Sequence, residues 1–121
     1  MYSSKTIRPV NSLLFVSDPS GGVVPEWIRG AMVLSTPSCI SVGCHPEQDG
    51  PTEVILGPAD EVDPGDQPVI DGDLETPGRV VVISTVERKS VLEARVPDTQ
   101  TRVRIWLNHP RWPDKVVVGL E

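Results

Sequence analysis

The sequence predicts an all-β fold: a single antiparallel β-sandwich of about eight strands, with jelly-roll or immunoglobulin-like topology. Three observations predict it. Valine and isoleucine together number 26, against 11 for leucine and alanine, and β-branched side chains fit a pleated sheet while losing rotamer freedom in a helix. Thirteen prolines and ten glycines break the chain at short intervals, leaving few stretches long enough for a helix. Between the breaks, apolar residues either alternate with polar ones or fill both faces of a short run, the patterns of half-buried and central strands. A length of 121 residues fits one domain spanning residues 1–121.

In chain order, strands are expected at about 11–17, 30–35, 39–43, 52–57, 68–70, 79–85, 90–96, 101–108 and 115–120. Val80-Val81-Val82-Ile83 is apolar on both faces, as is Val116-Val117-Val118, so both read as central strands. The longest proline-free stretch, Gly78 to Val96, alternates at its end, with Leu92, Ala94 and Val96 on one face and Glu93 and Arg95 on the other. The next segment repeats the pattern, with Val103, Ile105 and Leu107 inward and Arg102 and Arg104 outward. Pro97-Asp98-Thr99-Gln100 between them has turn chemistry, which predicts an antiparallel hairpin. Val80, Val82, Leu92, Ala94, Val103 and Ile105 are the expected core. Residues 58–78 hold four prolines, three glycines and few apolar anchors, and read as a long acidic loop region interrupted by a short strand.

Charge narrows the function. The net charge is −6, but residues 1–78 hold 3 basic and 12 acidic side chains and residues 79–121 hold 8 basic and 5 acidic. An acidic chain cannot neutralise phosphate, so nucleic acid is excluded as a partner, and anionic membrane surfaces repel it. A basic protein partner suits it. No apolar run reaches the roughly 20 residues of a membrane span, and no secretory leader is recognisable, so a cytoplasmic location is expected.

Seven carboxylates crowd residues 60–75: Asp60, Glu61, Asp63, Asp66, Asp71, Asp73 and Glu75, with no lysine or arginine among them in sequence. They are the expected partner-binding face, docking on a basic protein. Asp71-Gly72-Asp73 with Glu75 also faintly resembles a calcium loop, since alternate carboxylates can converge on a hard cation, though the spacing is not that of an EF-hand. The alternative function is therefore a cation- or small-molecule-binding sandwich that uses this acidic loop. Among the aromatic residues, Trp27, Trp106 and Trp112 stand out. Trp106 shares the outward parity of Arg102 and Arg104, and Trp112 lies in the proline-stiffened run Asn108-His109-Pro110-Arg111-Trp112-Pro113, so both are candidate apolar anchors at a partner interface.

Other sites are weaker. Cys39, Cys44 and His45 form a C-x4-C-H string, but haem attachment needs a helical turn, and a strand here puts the two sulfurs on opposite faces. A zinc site lacks a fourth ligand nearby, so reduced structural thiols and no cofactor are expected. Only two histidines occur, each followed by proline, and there is no nucleophile elbow, phosphate loop or H-E-x-x-H string. The chain is not expected to be an enzyme.

Some residues carry a resemblance. Ser12 to Phe15 as an opening strand, Pro25-Glu26-Trp27 with Gly30, Gly78-Arg79-Val80-Val81-Val82, Leu92 to Pro97 and Val103-Arg104-Ile105-Trp106 follow one another in a familiar order. Over about residues 12–120 the pattern resembles a group of small bacterial β-sandwich proteins related in outline to competence protein J, an inhibitor of a DNA-uptake nuclease. The chain departs from that group at Asp98-Thr99-Gln100-Thr101, where its members often carry a glycine turn and a tyrosine. The resemblance implies a β-sandwich that binds and inhibits a protein partner, an inhibitor or immunity-type protein against a nuclease or toxin. It transfers no functional residue.

Overall fold

A computed structural model describes residues 2–26 and 28–121, so Trp27 lies outside the described residues. In chain order the elements are β1 (Ser3–Ile7), β2 (Leu13–Ser17), β3 (Val33–Thr36), β4 (Cys39–Gly43), β5 (Thr52–Pro58), α1 (Ala59–Val62), β6 (Ile70–Glu75), β7 (Val80–Thr85), β8 (Ser90–Arg95), β9 (Gln100–Leu107) and β10 (Lys115–Leu120). Short 3-10 turns at Val10–Ser12 and Glu47–Asp49 complete the list. The all-β class predicted from β-branched content is the class observed.

The ten strands form two five-stranded sheets, β1-β5-β10-β9-β6 (sheet A) and β3-β4-β2-β7-β8 (sheet B). Their inward residues meet in one core. Leu14, Val16, Ile40, Val42, Val81 and Ile83 come from sheet B; Val54, Leu56, Leu74, Val103, Ile105, Val116 and Val118 come from sheet A. Alternation along each strand is the cause: every second side chain crosses into the space between the sheets.

Several expectations need correction. Among the described residues the strands number ten, not about eight, and sheet A is mixed, because β5 and β10 run parallel, with Val54 opposite Val116 and Leu56 opposite Val118. A wholly antiparallel jelly-roll or immunoglobulin-like sandwich is therefore not what forms. The expected β8–β9 hairpin does not exist: β8 pairs with β7 in sheet B and β9 with β6 and β10 in sheet A. Residues 96–99 instead carry the chain across the core from one sheet to the other. An inward stripe on each of two consecutive strands fits this arch as well as a hairpin, because both sheets point their apolar faces at the same core. Buried hydroxyls fix the arch, with Thr76 Oγ1 donating to the Asp98 carbonyl (2.9 Å) and sharing a hydrogen bond with Thr101 Oγ1 (2.9 Å).

The parity of β7 is also the reverse of that expected. Val81 and Ile83 point into the core, while Val80 and Val82 face the outer side of sheet B. A four-residue apolar run carries no alternation from which to choose.

Within 58–78, the chain is more ordered in secondary structure than a loop. It makes the single turn α1, crosses the outer face of sheet A, and returns as edge strand β6, which begins where the expected 68–70 strand ends. The crossing depends on a close approach. A Cβ at Gly119, on the outer side of β10, would sit 2.9 Å from both Ala59 Cα and Trp106 Cζ3. Only glycine leaves α1 room to lie against the sheet.

At the other end of β2, Asp18 is buried, 1% exposed. The Ser20 N–H donates to its Oδ1 (2.9 Å) and the Gly78 N–H to its Oδ2 (2.7 Å), tying the start of the 18–32 segment to the turn before β7. Burial raises this carboxyl's pKa, but donation from Ser20, Gly78 and Val80 outweighs it, and the net shift is below the usual aspartate value.

Candidate protein-docking surface

The outer side of sheet A gathers the acidic residues. On β6, residues alternate between the core, with Leu74 buried, and the outer face, with Asp71, Asp73 and Glu75 exposed. Asp60 and Glu61 are exposed on α1, and Asp63 and Asp66 are exposed on the segment that crosses the same face. Asp63 Oδ1 accepts the Gly65 N–H (2.7 Å), which shapes the turn after α1. All seven predicted carboxylates thus lie exposed on one side of the molecule, although they are spread over a helix turn, a loop and a strand.

The counter-charge of Asp71 comes from the neighbouring strand, where the local sequence shows none. Register places Asp71 opposite Arg104 and Asp73 opposite Arg102. Arg102 reaches diagonally to Asp71 with a bidentate pair, Nε to Oδ1 and Nη2 to Oδ2, both 2.8 Å. Glu121 then bridges the arginines, 3.1 Å from Arg102 Nη1 and 3.0 Å from Arg104 Nη2. Arg104 Nε also approaches Asp71 Oδ2 at 3.5 Å, an ion-pair distance without hydrogen-bond geometry. Hydrogen bonding to Arg102 holds the Asp71 carboxyl below the ordinary aspartate range and raises the guanidinium in turn. Asp60, Asp63, Asp66, Asp73 and Glu75 make no ion pair among the described residues.

This arrangement does not support the calcium loop. Asp71 is occupied by a guanidinium, and among the described residues no three His, Cys, Asp or Glu side chains gather as metal ligands. A groove of about 770 Å³ lies on the outer face of sheet B over Phe15, Ser17, Cys39 and Val82, and none of the seven carboxylates lines it.

The two described tryptophans part ways. Trp106 faces outward as its parity requires, yet it is 3% exposed, because the 58–69 excursion covers it. Its Nε1–H donates to the Asp66 carbonyl (2.9 Å), so the ring anchors the excursion and is not available to a partner. Parity could not reveal a segment folding back over the sheet.

Trp112 is 59% exposed. The loop beneath it is held by side chains that accept backbone hydrogens. His109 Nδ1 accepts from Arg111 (3.1 Å) and Trp112 (3.0 Å), and Asn108 Oδ1 accepts from Asp114 and Lys115 (both 3.1 Å). The Pro113 carbonyl accepts the His45 N–H (2.9 Å), pinning the loop to the chain after β4. A large apolar ring is thus displayed on a loop whose conformation is already fixed, the condition under which an aromatic anchor costs least to immobilise. Sequence flagged the tryptophan and the prolines; the capping by Asn108 and His109 needed the turn geometry.

The remaining candidates are accounted for structurally. Cys39 faces the groove on the outside of sheet B and Cys44 lies in the core, so the two thiols point to opposite sides; both are free and buried, and burial pushes each up to about 11. His45 Nε2 lies 3.0 Å from the Pro51 carbonyl, and His109 is engaged as above. Both imidazoles thus contact backbone within their own loops.

No family model matches the chain, and no curated protein sequence matches it. A solved structure does match: ComJ from Bacillus subtilis, described as the inhibitor of the DNA-degrading activity of NucA, superposes with a TM-score of 0.66 over 98% of this chain and 93% of its own. This chain has the ComJ fold. Sequence identity is 8%, so the likeness to ComJ rests on the arrangement of strands and carries no residue-by-residue correspondence.

Proposed function

We propose that this chain is a non-enzymatic protein-binding module of the inhibitor type, directed at a basic protein such as a nuclease. The observation that carries the reading is the ComJ fold along 98% of the chain, since ComJ is an inhibitor of a DNA-degrading protein. The surface chemistry agrees. Exposed carboxylates on the outer side of sheet A can stand where a nuclease receives phosphates, and opposite charge of this kind speeds encounter. Charge alone gives little residence time, and Trp112 supplies the apolar contact that slows release. Asp60, Glu61, Asp63, Asp66, Asp73, Glu75 and Trp112 are the proposed contact residues; Asp71 contributes through its pairing with Arg102.

The test is affinity capture on the immobilised protein from a lysate of its own cells, followed by identification of what is retained and a DNA-degradation assay on the eluate. A basic nuclease retained at low salt and released at high salt is the expected result. Retention that ignores salt, or an eluate without nuclease activity, contradicts the reading.

A further inference from the structure

We propose that β6 is a strand-acceptor edge, at which an extended basic segment of the partner adds to sheet A alongside Asp71–Asp73. This rests on the inhibitor reading and names how the partner is held.

The backbone of β6 carries the argument. Among the described residues it ends sheet A and pairs with β9 alone. Just beyond the strand, the Thr76 N–H donates to the Thr99 carbonyl (2.8 Å), on the β9 side, whereas the Glu75 N–H donates away from β9 to the Pro37 carbonyl (2.8 Å). Backbone groups alternate in direction along an antiparallel strand. The even-numbered residues of β6 therefore face β9, and the N–H and C=O groups of Asp71 and Asp73 face the open edge. Access to them is open along the strand: Asp71, Gly72 and Asp73 are exposed in succession.

The other edges are less open to such a partner. β8 packs against β1, and β3 is flanked by the chain at Val23, whose N–H donates to Ser38 Oγ (2.8 Å) and whose carbonyl accepts from Thr36 Oγ1 (2.6 Å). β1 carries Lys5, the kind of charge that repels a basic strand. On β6 the outward side chains are Asp73 and Glu75, unpaired among the described residues, beside the neutralised Asp71. An added strand presents alternate side chains to that same face. Lysine or arginine at every second position then meets carboxylates, while an acidic strand is repelled.

The decisive probe is amide hydrogen exchange, read with a peptide of about eight residues alternating lysine and valine, supplied at millimolar concentration, and an alternating glutamate–valine peptide as control. The basic peptide should slow exchange at the Asp71 and Asp73 amides more than about tenfold, and the acidic one should leave them unchanged. Asp73→Pro removes an edge donor without cutting the β9 ladder and should abolish the effect, whereas Asp73→Asn, which keeps the donor, should retain most of it. Thermal melts verify that both variants fold. Unchanged exchange at these two amides, or equal effects of the two peptides, overturns the proposal. If a captured nuclease binds while the same amides exchange freely, strand addition is refuted and the inhibitor reading stands; if no nuclease binds, the inhibitor reading itself fails.

Discussion

Replacing Asp18 by asparagine tests how the 18–32 segment is anchored. The carboxylate is 1% exposed, and each of its oxygens accepts a short backbone hydrogen bond, Oδ1 from the Ser20 N–H at 2.9 Å and Oδ2 from the Gly78 N–H at 2.7 Å. An asparagine has one acceptor oxygen, so whichever way the amide turns, its NH2 group faces either the Ser20 or the Gly78 N–H. A hydrogen bond to a charged acceptor contributes ~1.5–3 kcal/mol, and stranding a buried donor costs ~1–3 kcal/mol. The neighbourhood cannot relax easily, since a Cβ at Gly78 would already stand 2.9 Å from Asp18 Oδ1. We expect a loss of about 2–3 kcal/mol, a large share of the ~5–15 kcal/mol that stabilises a typical domain. In a thermal melt this is a fall of roughly 6–12 °C.

The pH dependence has a definite sign. The folded-state pKa lies below the unfolded value of 3.8, because the four donations favour the charged form. The stabilisation is therefore complete above about pH 4 and is lost as pH falls through the lower folded value. Urea titrations of wild type and Asp18→Asn at several pH values read this directly: the gap should be constant above about pH 5 and narrow steadily below pH 4. A gap under about 0.5 kcal/mol at neutral pH, typical of inconsequential surface changes, refutes the anchoring argument. So does a gap that stays constant into strong acid.

Two further predictions separate fold from interface. Trp106→Ala should cost ~3–5 kcal/mol in urea unfolding, as for a large buried aromatic, while Trp112→Ala should shift stability by less than about 0.5 kcal/mol and weaken partner binding by about 2 kcal/mol or more, measured by calorimetry. Asp73→Asn with Glu75→Gln should slow association with a basic partner, most visibly in low salt, and leave the melting temperature unchanged; stopped-flow traces at two ionic strengths check it, and an unaltered association rate removes these carboxylates from the interface.

Much of the strand pattern could be read from sequence because core-facing strands advertise themselves. Residues 39–43, 52–57 and 115–120 are valine- and isoleucine-rich and coincide closely with β4, β5 and β10. β1 gives no signal in sequence, because Ser3–Ile7 is an exposed edge with a single apolar residue at its end. β6 is hidden in sequence for a related reason: Asp71-Gly72-Asp73 has turn composition, and its place in a sheet depends on Arg102 and Arg104, which lie some thirty residues away. Which strands pair was less legible still. The inward stripe of β9 is the same whether its neighbour is β8 or β6, and the parallel match of β5 to β10 has no local signal at all. At the candidate site, the exposure of the carboxylates followed from their charge, but the neutralisation of Asp71 and the covering of Trp106 are tertiary facts.

The proposed inhibition of a basic nuclease by occupation is tested most directly by a titration of DNA degradation. The nuclease recovered by affinity capture is held at fixed concentration, well above the dissociation constant, and its rate of DNA cleavage is followed as the protein is added. Inhibition by occupation predicts a rate that falls in proportion to added protein and reaches its floor at a fixed stoichiometric ratio, with higher salt softening the approach. A cleavage rate that stays level through a large molar excess contradicts the account.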